Sequence, residues 1–502
     1  MDTLSLLLDG FTVAVLPINL ALMVAGCFAG TLIGALPGLG PVNGVAILIP
    51  LTFAFGLNAT SSMILLSAVY YGCMYGGRIS AILLNIPGDE PAVMTTLDGY
   101  PMAQKGQAAD ALAISGAASF IGATLATIGL TLFAPILAKA AIYFGPADYF
   151  ALYVMAFATI GGIAGTDPRK TLLAALLGLM LGTVGLDPAS GIARYTFGSF
   201  NLFDGFDPIV ALVGLFAISE ILVFVETRLS DRPATPAGRV FPRLNQLRKG
   251  IGASLRGSLI GFVAGILPGA GASLGAVMAY SFEKRLNDKG TFGTGDPRGV
   301  AAPEAGNNAA SGGALIPMLT LGVPGSGTTA VMLAMLISLN IQPGPLLFER
   351  NPDLVWGLIA SLYLSNVVLL VLNLPMIGLF TRILGMPAWA LMPLVVAISY
   401  LGIYAITHAA FDLLVMVGFG LLGFVLRKLD FSLVPVVLGL LLGMDMENNL
   451  RRALSISGGD WGVLLSSAIA LGLYTVTAAF LAFSWWLAAR PVPVSHSVDP
   501  ED

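Results

Sequence analysis

Apolar residues run along this chain in long blocks between short polar breaks, from about residue 11 to about residue 488. A helix that crosses a bilayer needs about 20 consecutive apolar residues, so the pattern predicts roughly ten to thirteen membrane elements. The first blocks fall at residues 11 to 33, 42 to 55 and 63 to 86, and a short segment at 92 to 97 leads into a polar loop at 98 to 107. Blocks at 109 to 143, 148 to 165, 171 to 186 and 207 to 227 follow. After a polar connector they resume near 257 to 281, 309 to 322, 326 to 340, 354 to 383, 388 to 406, 411 to 426, 432 to 446 and 462 to 488. The expected fold class is an all-α polytopic membrane protein with broken helices or re-entrant hairpins and no soluble domain of any size.

Some of the breaks are copies of one another. Gly34-Ala35-Leu36-Pro37-Gly38-Leu39-Gly40 returns as Gly265-Ile266-Leu267-Pro268-Gly269-Ala270-Gly271, and Gly44 and Gly275 follow at the same spacing. A second echo pairs Ile86-Pro87-Gly88 and Ala92-Val93-Met94 with Val323-Pro324-Gly325 and Ala330-Val331-Met332. A weaker third pairs Phe144-Gly145-Pro146-Ala147 with Leu384-Gly385-Met386-Pro387-Ala388. Proline removes a backbone donor and glycine permits positive φ, so each Pro-Gly stops a helix inside apolar surroundings. In a membrane such breaks persist where the freed backbone is buried or lines a polar cavity, and matched pairs of them point to a transport site.

Two repeats are therefore expected, 1–228 and 257–490, joined by a linker at 229–256 and followed by a polar tail at 491–502. Their relative orientation depends on an odd or even number of spans, which the broken elements obscure. An inverted arrangement is favoured because that symmetry gives alternating access.

Composition supports the membrane reading and narrows it. The 502 residues are 56% hydrophobic and 10% charged, with a mean hydropathy of +0.87, whereas soluble domains carry about 25% charge. The connector holds Arg228, Arg232, Arg239, Arg243, Arg248, Lys249 and Arg256 against Asp231, which the positive-inside rule assigns to the cytoplasm; as chemistry it reads as a solvated linker. Lys284, Arg285, Lys289 and Arg298 give the loop at 283 to 298 the same signature, so residues 257 to 281 are not expected to cross just once. Met1-Asp2-Thr3-Leu4 lacks the basic region of a cleavable signal, and the first block is expected to be retained. Cys27 and Cys73 sit in apolar blocks without metal-ligand spacing and read as buried thiols, so no metal site is expected. A net charge of −4 with no basic face argues against nucleic acid as a partner.

The candidate binding residues cluster at the second pair of breaks. Asn85 and Gly88 border the first copy; Gly325, Ser326, Gly327, Thr328 and Thr329 form the second, with good capping residues for a new helix. N–H groups at such a terminus carry roughly half a positive charge and suit a carboxylate, while carbonyls freed on the other side can hold a cation. The plain alternative is a tight loop between packed spans. Asn307 and Asn308 stand where an apolar block begins, either as amides that donate to a carboxylate without the cost of a buried ion or as caps of that helix. Arg78, deep in an apolar block, is expected to meet an anion or to pair with Asp89 or Glu90. Gly38, Gly40, Gly269 and Gly271 are weaker candidates, contributing backbone groups or a hinge. His408 and Asp412, at i and i+4, would share a helix face and relay a proton, unless they mark an interfacial turn. Glu220, Asp445 and Glu447, near block ends, read as solvated or paired.

Enzyme signatures are sparse. No Gly-x-x-x-x-Gly-Lys phosphate loop or Gly-x-Ser-x-Gly elbow occurs, and two histidines, His408 and His496, cannot make a His-Glu-x-x-His zinc site. Gly293-Thr294-Gly295-Asp296 looks like an intramembrane aspartyl protease motif but sits in a charged loop. The chain is therefore expected not to be an enzyme; an intramembrane enzyme or a passive anion channel are the rival classes.

Tyr75-Gly76-Gly77, Leu83-Leu84-Asn85-Ile86-Pro87-Gly88, Thr95-Thr96-Leu97-Asp98-Gly99-Tyr100-Pro101, Pro303-Glu304 with Asn307-Asn308-Ala309, and Gly322-Val323-Pro324-Gly325-Ser326-Gly327-Thr328-Thr329-Ala330-Val331-Met332 resemble the large membrane subunit of the tripartite tricarboxylate transporters. The likeness covers almost the whole chain; Arg78 and the adjacent acids Asp89-Glu90 depart from the family's usual pattern. It implies a secondary carrier of the bacterial inner membrane that imports citrate or other carboxylates on a sodium or proton gradient, with no cofactor. The implied partners are a small four-helix membrane subunit and a periplasmic substrate-binding protein.

Overall fold

The computed structural model describes residues 3–36, 38–161, 167–226, 244–269, 271–288, 290–373 and 392–488. Helices make up most of the described chain, with one two-residue antiparallel pair, Gly185–Leu186 with Ala193–Arg194. In order they are α1 (Thr3–Ala14), α2 (Pro17–Ala35), α3 (Gly40–Ala54), α4 (Ala59–Leu84), α5 (Val93–Met102), α6 (Ala108–Ala141), α7 (Pro146–Gly161), α8 (Pro168–Gly182), α9 (Pro208–Leu212) and α10 (Ser219–Glu226). The second half holds α11 (Leu244–Ile266), α12 (Gly271–Asn287), α13 (Pro297–Gly313), α14 (Leu315–Leu321), α15 (Gly327–Ser338), α16 (Leu347–Arg350), α17 (Pro352–Asn373), α18 (Met392–Thr407), α19 (Ala410–Lys428), α20 (Val434–Ile456) and α21 (Ala468–Ala488). Among the described residues five helices are long and apolar enough to cross a membrane and five shorter ones are apolar, so the chain is a multi-pass, all-α membrane protein.

Close helix crossings built from glycine organise both halves, and they obey one rule. A Cβ on Gly26, Gly30 or Gly34 of α2 would fall 2.8, 2.3 and 2.2 Å from the carbonyls of Leu65, Val69 and Cys73 on α4. In the second half a Cβ on Gly257, Gly261 or Gly265 of α11 would fall 2.4, 2.0 and 2.2 Å from the carbonyls of Ala302, Gly306 and Ala310 on α13. Only residues without a side chain let two helix backbones approach this closely. The crossing repeats in the reverse direction: Gly76 abuts the Thr31 carbonyl as Gly313 abuts that of Phe262. The internal repeat is thus a repeat of packing as well as of sequence, and in each half it ends at a break.

Several sequence boundaries shift for identifiable reasons. The first block splits at Val15–Leu16, because Pro17 opens α2 at a position where its missing N–H costs nothing. The stretch read as a polar loop, 98 to 107, is helical: α5 runs to Met102 and continues through a π turn, Ala103–Gln107. Asp98 can sit buried there because Gly293, Gly295 and Asp296 donate their N–H groups to its Oδ1 at 2.8 to 2.9 Å and Tyr280 donates to Oδ2 at 3.0 Å. Those donors are the Gly-x-Gly-Asp loop, and its aspartate is committed elsewhere: Asp296 caps α13 and pairs with Arg298 at 2.7 Å. Burial works to raise the Asp296 carboxyl, and the bonds from Arg298 and Thr291 outweigh it and hold it below the ordinary range.

This cap starts α13 at Pro297, so Asn307 and Asn308 fall in mid-helix and cap nothing. The end of the stretch read as linker, 244–256, is the start of α11, with Gly250, Ala253 and Ser254 buried at helical spacing and Arg248 and Lys249 exposed. Residues 227–243, the tail and the third echo's second copy lie outside the described residues. His408 (φ 52°) stands between α18 and α19, so it shares no helix face with Asp412, and the turn reading holds. Cys27 and Cys73 are free and buried.

Outside the helices, the hairpin at 183–207 is pinned by charge. Asp187 meets Arg451 at 3.2 Å, and Glu447 bridges Arg194 at 3.0 Å and Arg451 at 2.6 Å. The Ser190 hydroxyl first, and then the Ala189 N–H and Arg451, hold the Asp187 carboxyl down at about 2 against the opposing effect of burial. A depressed carboxyl stabilises the fold above its unfolded value, about 4, and that contribution is lost as pH falls through the folded value. Asp187→Asn is expected to melt earlier than the natural protein in detergent near neutral pH, with the gap closing as the buffer approaches pH 2.

Candidate functional site

The breaks of both halves converge on one cavity of about 650 Å³. Gly38, Leu39 and Gly40 line it from the first break, Pro87 to Pro91 from the second, Gly269 and Gly271 from the third, and Ser326 to Thr328 from the fourth. Matched backbone explains the convergence. Gly38 and Gly40 hold φ of 85° and 59°, and their copies Gly269 and Gly271 hold 78° and 67°, a pair of left-handed steps that turns the chain at the same place twice. The helix before each later break also ends alike, at Asn85 (φ 57°) for α4 and Gly322 (φ 69°) for α14, the left-handed conformation that closes helices.

The breaks touch one another across the halves and within them. Gly271 N–H donates to the Gly325 carbonyl at 3.2 Å and Ser273 Oγ to Glu90 Oε2 at 3.3 Å, while Gly88 N–H bonds back to the Gly77 carbonyl within α4 at 3.3 Å. Tyr70 OH and Ser326 Oγ lie 3.4 Å apart. The fourth break opens its helix with a capping residue on the cavity wall, and the second holds a turn there through an aspartate. Ser326 Oγ accepts from the Thr329 N–H at 3.2 Å while Thr329 Oγ1 accepts from the Ser326 N–H at 2.8 Å, a reciprocal box over α15. Asp89 Oδ1 accepts from the Ala92 N–H at 3.0 Å just before α5, and its Oδ2 is buried without a partner.

Of the residues read from sequence, Gly88, Ser326, Gly327 and Thr328 line this cavity together with Gly38, Gly40, Gly269 and Gly271. The others stand behind it. Asn85 closes α4, Thr329 completes the cap, and Gly325 is pressed to the Ala314 backbone. Asn308 donates to the Glu304 carbonyl one turn back at 3.0 Å, and Asn307 is buried with its Oδ1 unpartnered.

Arg78 neither lines the cavity nor pairs with Asp89 or Glu90. It is fully buried between α4 and α6, donating from Nε to the Tyr75 carbonyl at 2.9 Å, from Nη1 to Leu112 O at 2.7 Å and Ser115 Oγ at 2.6 Å, and from Nη2 to Asn373 Oδ1 at 3.3 Å. The acid within its electrostatic reach is Glu304 of α13, which accepts from Thr95 at 2.5 Å and Ser119 at 3.1 Å.

Two cavity-side residues, Asn43 and Arg427, escaped the sequence reading, and Glu220, read as solvated or paired, proves to be paired with one of them. Glu220 of α10, Arg427 of α19 and Asn43 of α3 form a cluster in which Arg427 pairs with Glu220 and Asn43 contacts both, and Asn43 and Arg427 line the cavity. The one signal available was that each lies within a turn or two of a break or a block end. A second cavity, about 860 Å³, also borders the fourth break through Leu321 and Gly322, and Arg350, Asn351, Asp445, Asn448, Asn449 and Arg452 give it a polar wall.

The family model described as the tripartite tricarboxylate transporter TctA family matches residues 20–438. The chain belongs to the TctA family. The chain is similar to a protein of Agrobacterium vitis, the "Uncharacterized 52.8 kDa protein in TAR-I ttuC' 3'region", 39% identical over 482 residues that make up 95% of each chain. A second protein of that organism, the "Uncharacterized protein in TAR-II ttuC' 3'region", is 40% identical over 227 residues, 44% of this chain and 94% of its own. No solved structure matches. The match of residues 20–438 takes in all four breaks and the Asn43, Glu220 and Arg427 cluster, so the cavity lies wholly within the family-defining part of the chain. The protein is accordingly a membrane component of a tripartite tricarboxylate transporter.

Proposed function

We propose that this chain is the conducting subunit of a secondary carrier of the bacterial inner membrane, importing a citrate-like carboxylate by cation-coupled alternating access. A periplasmic binding protein delivers the anion, and a small four-helix subunit completes the complex. The observation that carries this reading is the meeting of four helix breaks, two from each packing repeat, at one cavity that holds a few charged and polar side chains. The N–H groups of Gly327 and Thr328, in the first turn of α15 and at its positive end, suit a carboxylate.

The cavity's side chains support cation coupling. Asp89, Glu90 and Asp430 line it against Arg427, so an anion enters with a cation or proton as company. Coupling also avoids the cost of moving net charge, about 2.3 kcal/mol per charge per 100 mV. The two cavities that share the fourth break fit a carrier whose break region changes sides, with the halves 1–228 and 257–490 as inverted repeats. The enzyme reading loses its one motif, since Asp296 is a helix cap.

The test is uptake of radiolabelled carboxylates by vesicles holding this chain, the small subunit and the binding protein. Accumulation against a gradient, abolished by collapsing the sodium and proton gradients, is the expected result. Equilibration without accumulation would favour a channel, and chemical conversion of the label an enzyme.

A further inference from the structure

Two arginines of this chain show how a guanidinium settles on a carboxylate. Arg256 meets Glu283 through Nε at 2.9 Å and Nη2 at 2.8 Å, and Arg298 meets Asp296 through Nε at 3.0 Å and Nη2 at 2.7 Å. Both use the same edge, the two-pronged face that matches the spacing of carboxylate oxygens. Arg427 does not. It engages Glu220 Oε2 through Nη1, its Nη2 reaches only the Asn43 amide oxygen at 3.4 Å, and its Nε is closed off from solvent without a partner. Asn43 in turn donates to Glu220 Oε2 at 3.2 Å. Among the described residues Arg427 is the one lysine or arginine lining the break cavity. A buried guanidinium edge without an acceptor is costly, because a charged donor gives up water and gains nothing.

We propose that Arg427 is the anchor for a carboxylate group of the transported anion, which takes the Nε and Nη2 edge in place of Asn43. This rests on the transport reading above and names the residue that reads the substrate's charge. Glu220 is a positioning residue. It holds the guanidinium from the far edge and neutralises it in the empty cavity, so that the anion, on arrival, supplies the second carboxylate. The anchor ties α19 and α10 to the break that follows α2, since Asn43 lies one turn into α3. Release of the anion returns Nη2 to Asn43, and the loss of one acceptor for another keeps the step reversible.

The test uses the reconstituted three-component system and radiolabelled citrate, malate and succinate. Arg427→Gln is expected to raise the half-saturation concentration at least about tenfold, the loss of about 1.4 kcal/mol of binding. Arg427→Lys keeps the charge but not the fork, and is expected to recover only part of the loss. Glu220→Gln removes the competing carboxylate, and is expected to lower both the half-saturation concentration and the maximal rate, a split that a purely structural pair would not give.

Folding is controlled by Glu220→Gln combined with Arg427→Gln, which leaves no unpaired charge. If the pair were only structural, the double variant would restore natural uptake; this assignment requires it to stay impaired in half-saturation. Accumulation by the natural protein with an unchanged half-saturation in Arg427→Gln would overturn the anchor alone. No accumulation of any of the three acids by the natural protein would overturn the transport reading and the anchor together.

Discussion

Gly34→Ala and Gly265→Ala are each expected to leave little folded protein in the membrane, and by similar amounts. The added methyl would stand 2.2 Å from the Cys73 carbonyl oxygen in one case and 2.2 Å from that of Ala310 in the other, far inside contact distance. The opposing atoms are backbone in a helix, so no rotamer change relieves the overlap and the helices must separate. Overpacking a tight site costs about 1 to 3 kcal/mol even where side chains can adjust, and the cost here lies above that range. Both glycines also sit in the last turn before a break, so separation would displace the cavity wall. Gly418→Ala on α19 is the control: nothing lies within 4 Å of its would-be Cβ, and alanine favours helix by about 1 kcal/mol over glycine. Monodispersity and melting temperature in detergent check all three. Unequal responses at Gly34 and Gly265 would contradict the equivalence of the two crossings.

Glu304→Ala is expected to destabilise the protein by at least about 1 to 3 kcal/mol, since the buried hydroxyls of Thr95 and Ser119 lose their acceptor and Arg78 loses the acid within its electrostatic reach. Glu304 is 1% exposed and Arg78 is 0% exposed, so neither can turn to water when the other is lost. Arg78→Ala is expected to cost a similar amount through stability, and to leave the half-saturation for transport unchanged in whatever protein survives, because Arg78 reaches no cavity atom. Combining Arg78→Met with Glu304→Gln should recover most of the loss, since no uncompensated charge then remains. Thermal unfolding of the two singles and the double gives the coupling directly, and additive losses would show that the two charges do not support each other.

What was legible in the sequence was what the backbone alone decides. Pro-Gly inside an apolar block announces a break whatever packs against it, and the copies at 34 to 44 and 265 to 275 revealed the repeat because glycine spacing and turn geometry were duplicated together. Membrane character followed from composition, and the family from motifs at the breaks. Side-chain destinations were harder to read. Arg78 read as a substrate contact because a cation deep in an apolar block needs an anion; its partners came from α6, α13 and α17, far along the chain. Asn43, Glu220 and Arg427 stood hundreds of residues apart, and each alone resembled an ordinary block end. Asp98 and Asp296 read as loop residues because nothing local shows that three N–H groups from 293 to 296 close around one carboxylate.

The central claim is that the transported anion occupies the cavity where the four breaks meet. Ser273 lines that cavity half-buried beside Glu90, and the native cysteines are both buried, so Ser273→Cys places one accessible thiol at the site. The measurement is uptake of radiolabelled carboxylate by reconstituted Ser273→Cys complex before and after a membrane-impermeant maleimide, with and without substrate present during labelling. The account predicts that labelling blocks uptake, that substrate slows labelling, and that the natural protein is untouched. Full labelling of Ser273→Cys with uptake intact and no protection by substrate would contradict it.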